Sequence, residues 1–278
     1  MPLTAEKLST EAIRADFNYI VDTGVPPVRY IDWPEMEGKE VPPQYRQHAM
    51  NVRNGRPLRH TFELDVHGFV FVDHATGVED FTDAAERAQV YDPEVQALIK
   101  QHSGASEVVV FDHTIRIGDE RGQKAVNARP TVKGVHNDYT ERSAPRRLRE
   151  IVGDAEAERR FRKRWAIIQV WRPIRGKVLA EPLGICDGRT IPQKGFIRVE
   201  RRYRERTGEV YHIAHNPAHQ WFYFPQMERT EALVFKVFDS DAGKPSRFTA
   251  HSAFDDPGTP PDAPPRESIE TRTFAFFD

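Results

Sequence analysis

The sequence predicts a mainly β protein, a sandwich or jelly roll with flanking helices. Short segments rich in β-branched and aromatic residues recur after residue 105, as in EVVVFDHTIRI (107–117) and WAIIQVWRPI (165–174). Turns that contain glycine or proline separate these segments, which is typical of antiparallel β architectures. Two other stretches, 82–101 and 145–164, lack strand alternation and have the composition of helices.

The order of the elements suggests one domain with two parts. Proline pairs at Pro26–Pro27 and Pro42–Pro43 indicate an extended entry region without a clear period. The further predicted elements are strand character at 61–73, a helix over 82–101, a strand at 107–117, a helix over 145–164, and strands at 165–174, 209–213, 221–224, 232–238 and 271–277. We therefore expect a single domain over residues 1–278, with a mixed α/β N-terminal extension (1–104) and a jelly-roll core (105–278).

Composition excludes several classes of protein. The 40 lysines and arginines nearly balance 42 acidic residues, whereas a nucleic-acid binder usually carries a basic excess. The single cysteine, Cys186, excludes an intramolecular disulfide and fits a reducing compartment. The first 14 residues lack the apolar segment of a signal peptide, and no run approaches the length of a membrane helix. We expect a cytoplasmic protein with no nucleic-acid or membrane partner; the oligomeric state stays open.

The most informative motif is His136-Asn137-Asp138 together with the distant His251. Residues two apart on a strand point the same way, so the first histidine and the aspartate can share a face. Two imidazoles and one carboxylate are the facial ligand set of non-haem Fe(II) oxygenases. A His-x-Asp triplet by itself is also compatible with a surface turn. The downstream residues favour a metal site, which would make 105–278 the metal-binding core.

A second motif, Arg266-Glu267-Ser268, follows the distal histidine. Arg266 lies 15 positions after His251 (266 − 251), at the start of the final strand pattern. An arginine presents a planar fork of donors that matches a carboxylate. Because Arg266 and Ser268 are two apart, a guanidinium and a hydroxyl can hold the same carboxylate, such as the far end of an α-keto diacid.

These residues give the chain a recognisable pattern. It resembles the Fe(II)/2-oxoglutarate-dependent oxygenase-like family that contains the fungal gibberellin desaturase and the cephamycin methoxylation protein. The similar stretches, in the family's order, are DHTIR (112–116), VHNDYT (135–140), VWRPI (170–174), NPAHQWFYFPQM (216–227), FKVFDS (235–240), AHSAF (250–254) and PPRESIETR (264–272). They cover over half of the chain, and the first hundred residues add little to the resemblance.

The resemblance implies a fold, a site and an activity. The fold is the double-stranded β-helix, a jelly-roll or cupin-like architecture. Fe(II) is bound by His136, Asp138 and His251, and the co-substrate 2-oxoglutarate is held by Arg266 with Ser268. Together with dioxygen these cofactors imply a dioxygenase that hydroxylates or desaturates a small-molecule secondary metabolite through a ferryl intermediate.

Three alternatives keep the fold but change the function. The cephamycin relative suggests an accessory jelly-roll partner of another biosynthetic enzyme, such as a methyltransferase. The same ligands also suit an iron oxidase that is independent of 2-oxoglutarate, or a cupin-like isomerase or hydrolase. His219, in the NPAHQW stretch, competes with His251 as the distal ligand. We favour His251 because an arginine follows it at the spacing usual in the family.

Other residues are candidates for substrate contact. Tyr139 directly follows the aspartate ligand, and Arg116 on the 107–117 strand is able to pair with a substrate carboxylate. A lysine inside an apolar strand needs a partner, which makes Lys236 a candidate as well. The remaining candidates are the aromatic residues Trp171 and Trp221, and His219 if it is not a ligand. For each of them a structural role is the simpler interpretation.

Overall fold

A computed structural model describes residues 12–278, which form two β-sheets flanked by helices. The strands are β1 (Ala12–Ile20), β2 (Val28–Tyr30), β3 (Tyr45–Asn54), β4 (Phe69–Asp73), β5 (Glu107–Ile117), β6 (His136–Asn137), β7 (Trp165–Pro173), β8 (Leu183–Cys186), β9 (Phe196–Arg202), β10 (Thr207–Ile213), β11 (Trp221–Tyr223), β12 (Glu231–Asp239), β13 (Ala250–Ala253) and β14 (Glu267–Phe276). The helices are α1 (Ala84–Glu86), α2 (Asp92–Ser103), α3 (Glu120–Val126), α4 (Ser143–Val152) and α5 (Asp154–Arg160). The predicted mainly β architecture with flanking helices is confirmed.

Within the described range, the strands divide into a large and a small sheet. The large sheet has nine strands in the order β1-β3-β11-β8-β13-β6-β10-β9-β2, and the small sheet has five in the order β4-β12-β7-β14-β5. Neighbouring strands of the small sheet are all antiparallel. The main hydrophobic core lies between the sheets, where Phe17 and Trp221 of the large sheet and Trp171 and Phe274 of the small sheet belong to one buried cluster.

The long strands of the second half follow the predicted pattern closely. β5 has the predicted bounds, β7 ends one residue earlier than predicted, and β12 is one residue longer at each end. The last strand, β14, begins at Glu267, earlier than predicted, because its mostly polar first half is buried between β5 and β7. The predicted helix over 145–164 is divided into α4 and α5 at Gly153, where a positive φ of 82° ends the first helix.

The helix predicted over 82–101 is a continuous helical segment from Ala84 to Ser103. A π-helical turn, Arg87–Tyr91, leads directly into α2. Pro93 lies in the first turn of α2, directly after the π-helical turn. Strand character predicted at 61–73 is limited to β4, and a 3-10 helix, Arg56–Thr61, precedes it.

The first hundred residues contain strands that the sequence pattern did not reveal. β1 and β3 pair antiparallel over their length, from Ala12 opposite Arg53 to Ile20 opposite Tyr45. The inner face of β1 is apolar and alternates with polar outer residues, whereas apolar residues occupy only part of the inner face of β3. Both strands belong to the large sheet, and β4 belongs to the small sheet. Strands that precede residue 104 therefore belong to both sheets. The division of the chain at residue 104 into an N-terminal extension and a core stays a prediction.

Membrane-spanning segments were not expected from the sequence. Across residues 12–278, no helix is both long enough and apolar enough to span a bilayer. The predicted absence of a signal peptide concerns residues that lie mostly outside the described range.

Candidate metal centre

The metal ligands predicted from sequence meet at the middle of the large sheet. The two-residue strand β6 lies between β13 and β10, and His136 is directly opposite His251. Directly opposed residues on antiparallel strands place their side chains side by side. The centroids of the two imidazole rings are accordingly 4.3 Å apart. Asp138 follows at the end of β6, with its Oδ1 3.4 Å from Nε2 of His136.

These three side chains form a compact, buried donor set. One ligand atom from each of His136, Asp138 and His251 lies within 4.8 Å of the other two, and no other group of three such residues does so in residues 12–278. The histidines are 3% and 2% exposed. The structure thus brings His251, and not His219, to the His-x-Asp motif.

Hydrogen bonds orient the histidine rings for metal binding. Nδ1 of His136 lies 2.7 Å from the carbonyl oxygen of Gly134. A carbonyl only accepts, so Nδ1 carries the proton and the lone pair of a neutral ring is on Nε2. The ring of His251 is buried, and its Nδ1 has no hydrogen-bond partner among the described residues. Burial also holds the pKa of His251 well below its usual value, which favours the neutral, ligating form.

Asp138 supplies the negative charge of the donor set. Its Oδ2 accepts hydrogen bonds from Gln169 and Arg272, while Oδ1 faces His136. Burial alone would raise the pKa of Asp138, but Arg272 together with the neighbouring histidines outweighs burial and holds the pKa well below its usual value. The carboxylate is therefore ionised at neutral pH. Two imidazole nitrogens and one carboxylate oxygen fit Fe(II).

A small cavity connects this donor set to Arg266. Its lining includes His136, His251, Trp171 and Arg266. Arg266 is buried, donates from Nη1 to the carbonyl oxygen of Glu181 at 2.5 Å, and lies over the ring of Trp171 at 5.4 Å. Burial lowers the pKa of Arg266 to about 10, so the guanidinium remains charged at neutral pH.

Two unused donors make the Arg266 end of the cavity suitable for a carboxylate. Nε of Arg266 and Oγ of Ser268 are buried and have no hydrogen-bond partner in the described part of the chain. Unsatisfied buried donors are costly, by about 1–3 kcal/mol each, so native proteins rarely leave them without a role. A planar carboxylate in the cavity beside Arg266 would satisfy its Nε, and Ser268, two positions further along the chain, carries the second free donor. The residues present therefore fit 2-oxoglutarate.

The structure also places residues at the site that the sequence interpretation missed. Gln169 and Arg272 contact Asp138, and Glu270 lines the cavity. Arg266, Ser268, Glu270 and Arg272 are polar residues at every second position of one stretch, which indicates a polar row on one face of a strand. That periodicity was the available signal. Gln169 gave a weaker signal, as the one polar residue among the apolar residues at 165–171.

Some substrate candidates lie at the cavity or near it. Arg116 and Trp171 are both part of the cavity lining. Arg116 also donates to the carbonyl oxygen of Pro130 at 3.0 Å. The backbone carbonyl of Tyr139 accepts from Asn137, and its ring is 6.4 Å from that of Phe111. A substrate role for these residues stays a prediction.

The other substrate candidates have partners elsewhere in the fold. The hydroxyl of Tyr19 accepts a hydrogen bond from Nε1 of Trp221 at 2.7 Å and lies 3.1 Å from Nδ1 of His219. Lys236 is fully buried and donates to Asp65 and Asp239 at 2.7 Å each. These contacts give structural roles to Trp221, His219 and Lys236, and a substrate role for them stays a prediction that no contact supports.

Comparison with known proteins shows the family to which the chain is similar. The chain matches the family described as oxidoreductase/YMDC permease-like domain over residues 17–276. It is 35% identical over 258 residues to the hydroxylase/desaturase CTB9 of Cercospora beticola, which covers 84% of this chain and 78% of CTB9. It is 34% identical over 238 residues to the Fe(II)/2-oxoglutarate-dependent dioxygenase nvfI of Aspergillus novofumigatus, which covers 82% of this chain and 83% of the relative.

A solved structure is similar to this chain over nearly its whole described length. The iron and alpha-ketoglutarate-dependent endoperoxidase NvfI superimposes with a TM-score of 0.87 at 28% sequence identity, over 96% of this chain and 98% of NvfI. These similarities confirm the predicted jelly-roll fold, the oxidoreductase class and the Fe(II) and 2-oxoglutarate cofactors. The chain belongs to the family of Fe(II)/2-oxoglutarate-dependent dioxygenases.

Proposed function

We propose that this protein hydroxylates or desaturates a small secondary metabolite, with Fe(II) held by His136, Asp138 and His251. The observation that carries the proposal is the convergence of these three ligand atoms within 4.8 Å of one another. Arg266 lines the same cavity as the two histidines, which supports it as the residue that binds 2-oxoglutarate. The relatives named hydroxylase/desaturase support the reaction class.

Each protein group has a defined task in this proposal. When bound, iron with 2-oxoglutarate and dioxygen supplies an oxidant strong enough to remove hydrogen from an unactivated C–H bond. Asp138 contributes the anionic ligand, and His251 contributes a neutral nitrogen. His136 contributes Nε2 because its Nδ1 donates to Gly134. Arg266 and Ser268 orient the co-substrate by its far carboxylate. Trp171 lies against the Arg266 guanidinium and helps to exclude water from that contact.

Coupled product analysis tests this function against its alternatives. The purified protein is incubated with Fe(II), 2-oxoglutarate and candidate metabolites, and succinate and oxidised product are measured together. We expect succinate to form in step with the product. Product without succinate would favour an oxidase independent of 2-oxoglutarate. If neither forms while the protein still binds a partner enzyme and its substrate, the accessory role would be favoured.

Arg266→Leu is expected to weaken 2-oxoglutarate binding by about 10- to 100-fold, since hydrogen bonds to charged groups contribute about 1.5–3 kcal/mol. Arg266→Lys keeps the charge but loses the planar fork, so it should fall between Arg266→Leu and the parent. The KM for 2-oxoglutarate in the succinate assay measures the effect. Arg175→Leu is the control because the Arg175 side chain is 81% exposed and pairs only loosely with Glu267. A parental KM in Arg266→Leu would place the co-substrate elsewhere.

A further inference from the structure

The two oxygens of the Asp138 carboxylate have different surroundings. Oδ2 accepts three hydrogen bonds: from Nε2 of Gln169 at 2.8 Å, and from Nε and Nη2 of Arg272 at 3.0 Å and 2.7 Å. A carboxylate has about four lone-pair sites shared between its two oxygens, so three donors saturate Oδ2. Oδ1 is the oxygen that faces the donor set, 3.4 Å from Nε2 of His136.

We propose that Arg272 and Gln169 are positioning residues that make Asp138 a one-oxygen ligand. By occupying Oδ2, they present Oδ1 alone to the iron. This inference rests on the proposed function, in which Asp138 binds the metal. A carboxylate that bound through both oxygens would take a fourth coordination position. A facial triad must leave three positions open, two for the co-substrate and one for dioxygen.

The register of the small sheet holds this pair of donors in place. Arg272 lies on β14, directly opposite Gln169 on β7 and opposite Asp112 on β5. Directly opposed residues share a face, so the two donors reach Asp138 from adjacent strands. Oε1 of Gln169 is buried and has no partner among the described residues. The bond from Nε2 to Asp138 is thus the one hydrogen bond of the Gln169 side chain within those residues.

The Arg272 guanidinium is itself fixed on several sides. Nη1 donates to Asp112 and to Thr114, at 2.8 Å each, and Nη2 also contacts Glu270. The side chain is 10% exposed, so water offers little competition for these bonds. A guanidinium held by partners on two strands loses little further freedom when it binds the ligand carboxylate. The small sheet in this way orients a metal ligand that belongs to the large sheet.

Metal titration of the full chain tests the inference without any substrate. The probe is Co(II), whose visible absorption reports the number of coordinating atoms. Gln169→Leu and Arg272→Met are each expected to bind Co(II) about 10- to 100-fold more weakly than the parent, the usual effect of removing a group that supports a metal ligand. Both should also shift the Co(II) spectrum towards a higher coordination number, since Oδ2 is released. Arg272→Lys, with one donor group in place of the fork, should lie between Arg272→Met and the parent.

Arg172→Met is the matched control. Arg172 is also a fully buried arginine, on β7, but it contacts His74 and the carbonyl of Arg229 rather than Asp138. We expect it to lower the melting temperature while leaving the Co(II) affinity and spectrum as in the parent. If Arg272→Met does not fold, Gln169→Leu and Arg272→Lys decide the question.

The outcomes separate this inference from the proposed function. A parental affinity and spectrum in Gln169→Leu and in the folded Arg272 variants would overturn the positioning role while leaving the metal site intact. A parent protein that binds no Co(II), or an Asp138→Asn variant that binds it as tightly as the parent, would instead refute the metal site, and the positioning role with it.

Discussion

His251→Ala is expected to bind Fe(II) more than about 100-fold more weakly than the parent and to lose succinate formation. Even groups that only support a metal ligand account for about 10- to 100-fold in affinity, and a ligand itself contributes more. The same result is expected for His136→Ala and Asp138→Ala. Anaerobic Fe(II) titration, followed by the succinate assay at saturating 2-oxoglutarate, measures both losses.

His219→Ala is the matched control for the distal ligand. Both histidines are buried, at 5% exposure for His219 and 2% for His251, so the two variants remove the same side chain from similar environments. His219 contacts Tyr19 and lies outside the converging donor set. We expect His219→Ala to bind Fe(II) as the parent does. Loss of binding in His219→Ala with retention in His251→Ala would reverse the assignment of the distal ligand.

Lys236→Met is expected to lower the free energy of unfolding by about 3 kcal/mol, the lower end of the range for breaking a buried ion pair by removing one partner. The Lys236 and Asp239 side chains are completely buried and lie 2.7 Å apart. Arg164 also pairs with Asp239, so the remaining carboxylate keeps one cation, which places the effect at the lower end. The bond to Asp65 adds less, because that side chain is 36% exposed and its charge is partly solvated.

Urea unfolding of metal-free protein measures this change. Lys177→Met is the control, since Lys177 and Glu228 form an exposed ion pair at 2.9 Å and such pairs contribute about 0–1 kcal/mol. Fe(II) affinity should be unchanged in Lys236→Met. If this variant unfolded at the urea concentration of the parent but had an altered KM for its substrate, the substrate role predicted from the sequence would be favoured over the structural one.

Local patterns predicted much of the fold in the second half of the chain. β5, β7 and β12 are rich in β-branched and aromatic residues, so their composition alone identifies them; β7 and β12 are buried throughout and β5 is mostly half-buried. β1 was missed although apolar and polar residues alternate along it, whereas β3 was not predicted because only part of its inner face is apolar. Such strands are stabilised by the partner they pair with, which a local pattern does not reveal.

The sequence by itself determined the chemical types at the site: two histidines and an aspartate for a metal, and Arg266 with Ser268 for a carboxylate. These follow from side-chain chemistry and from the period of two along a strand, both of which are local properties. Only the tertiary structure placed His251, and not His219, beside His136, because that placement depends on which strand lies next to β6. It alone also brought Gln169 and Arg272 to Oδ2 of Asp138, since strand register across two sheets is set by long-range packing.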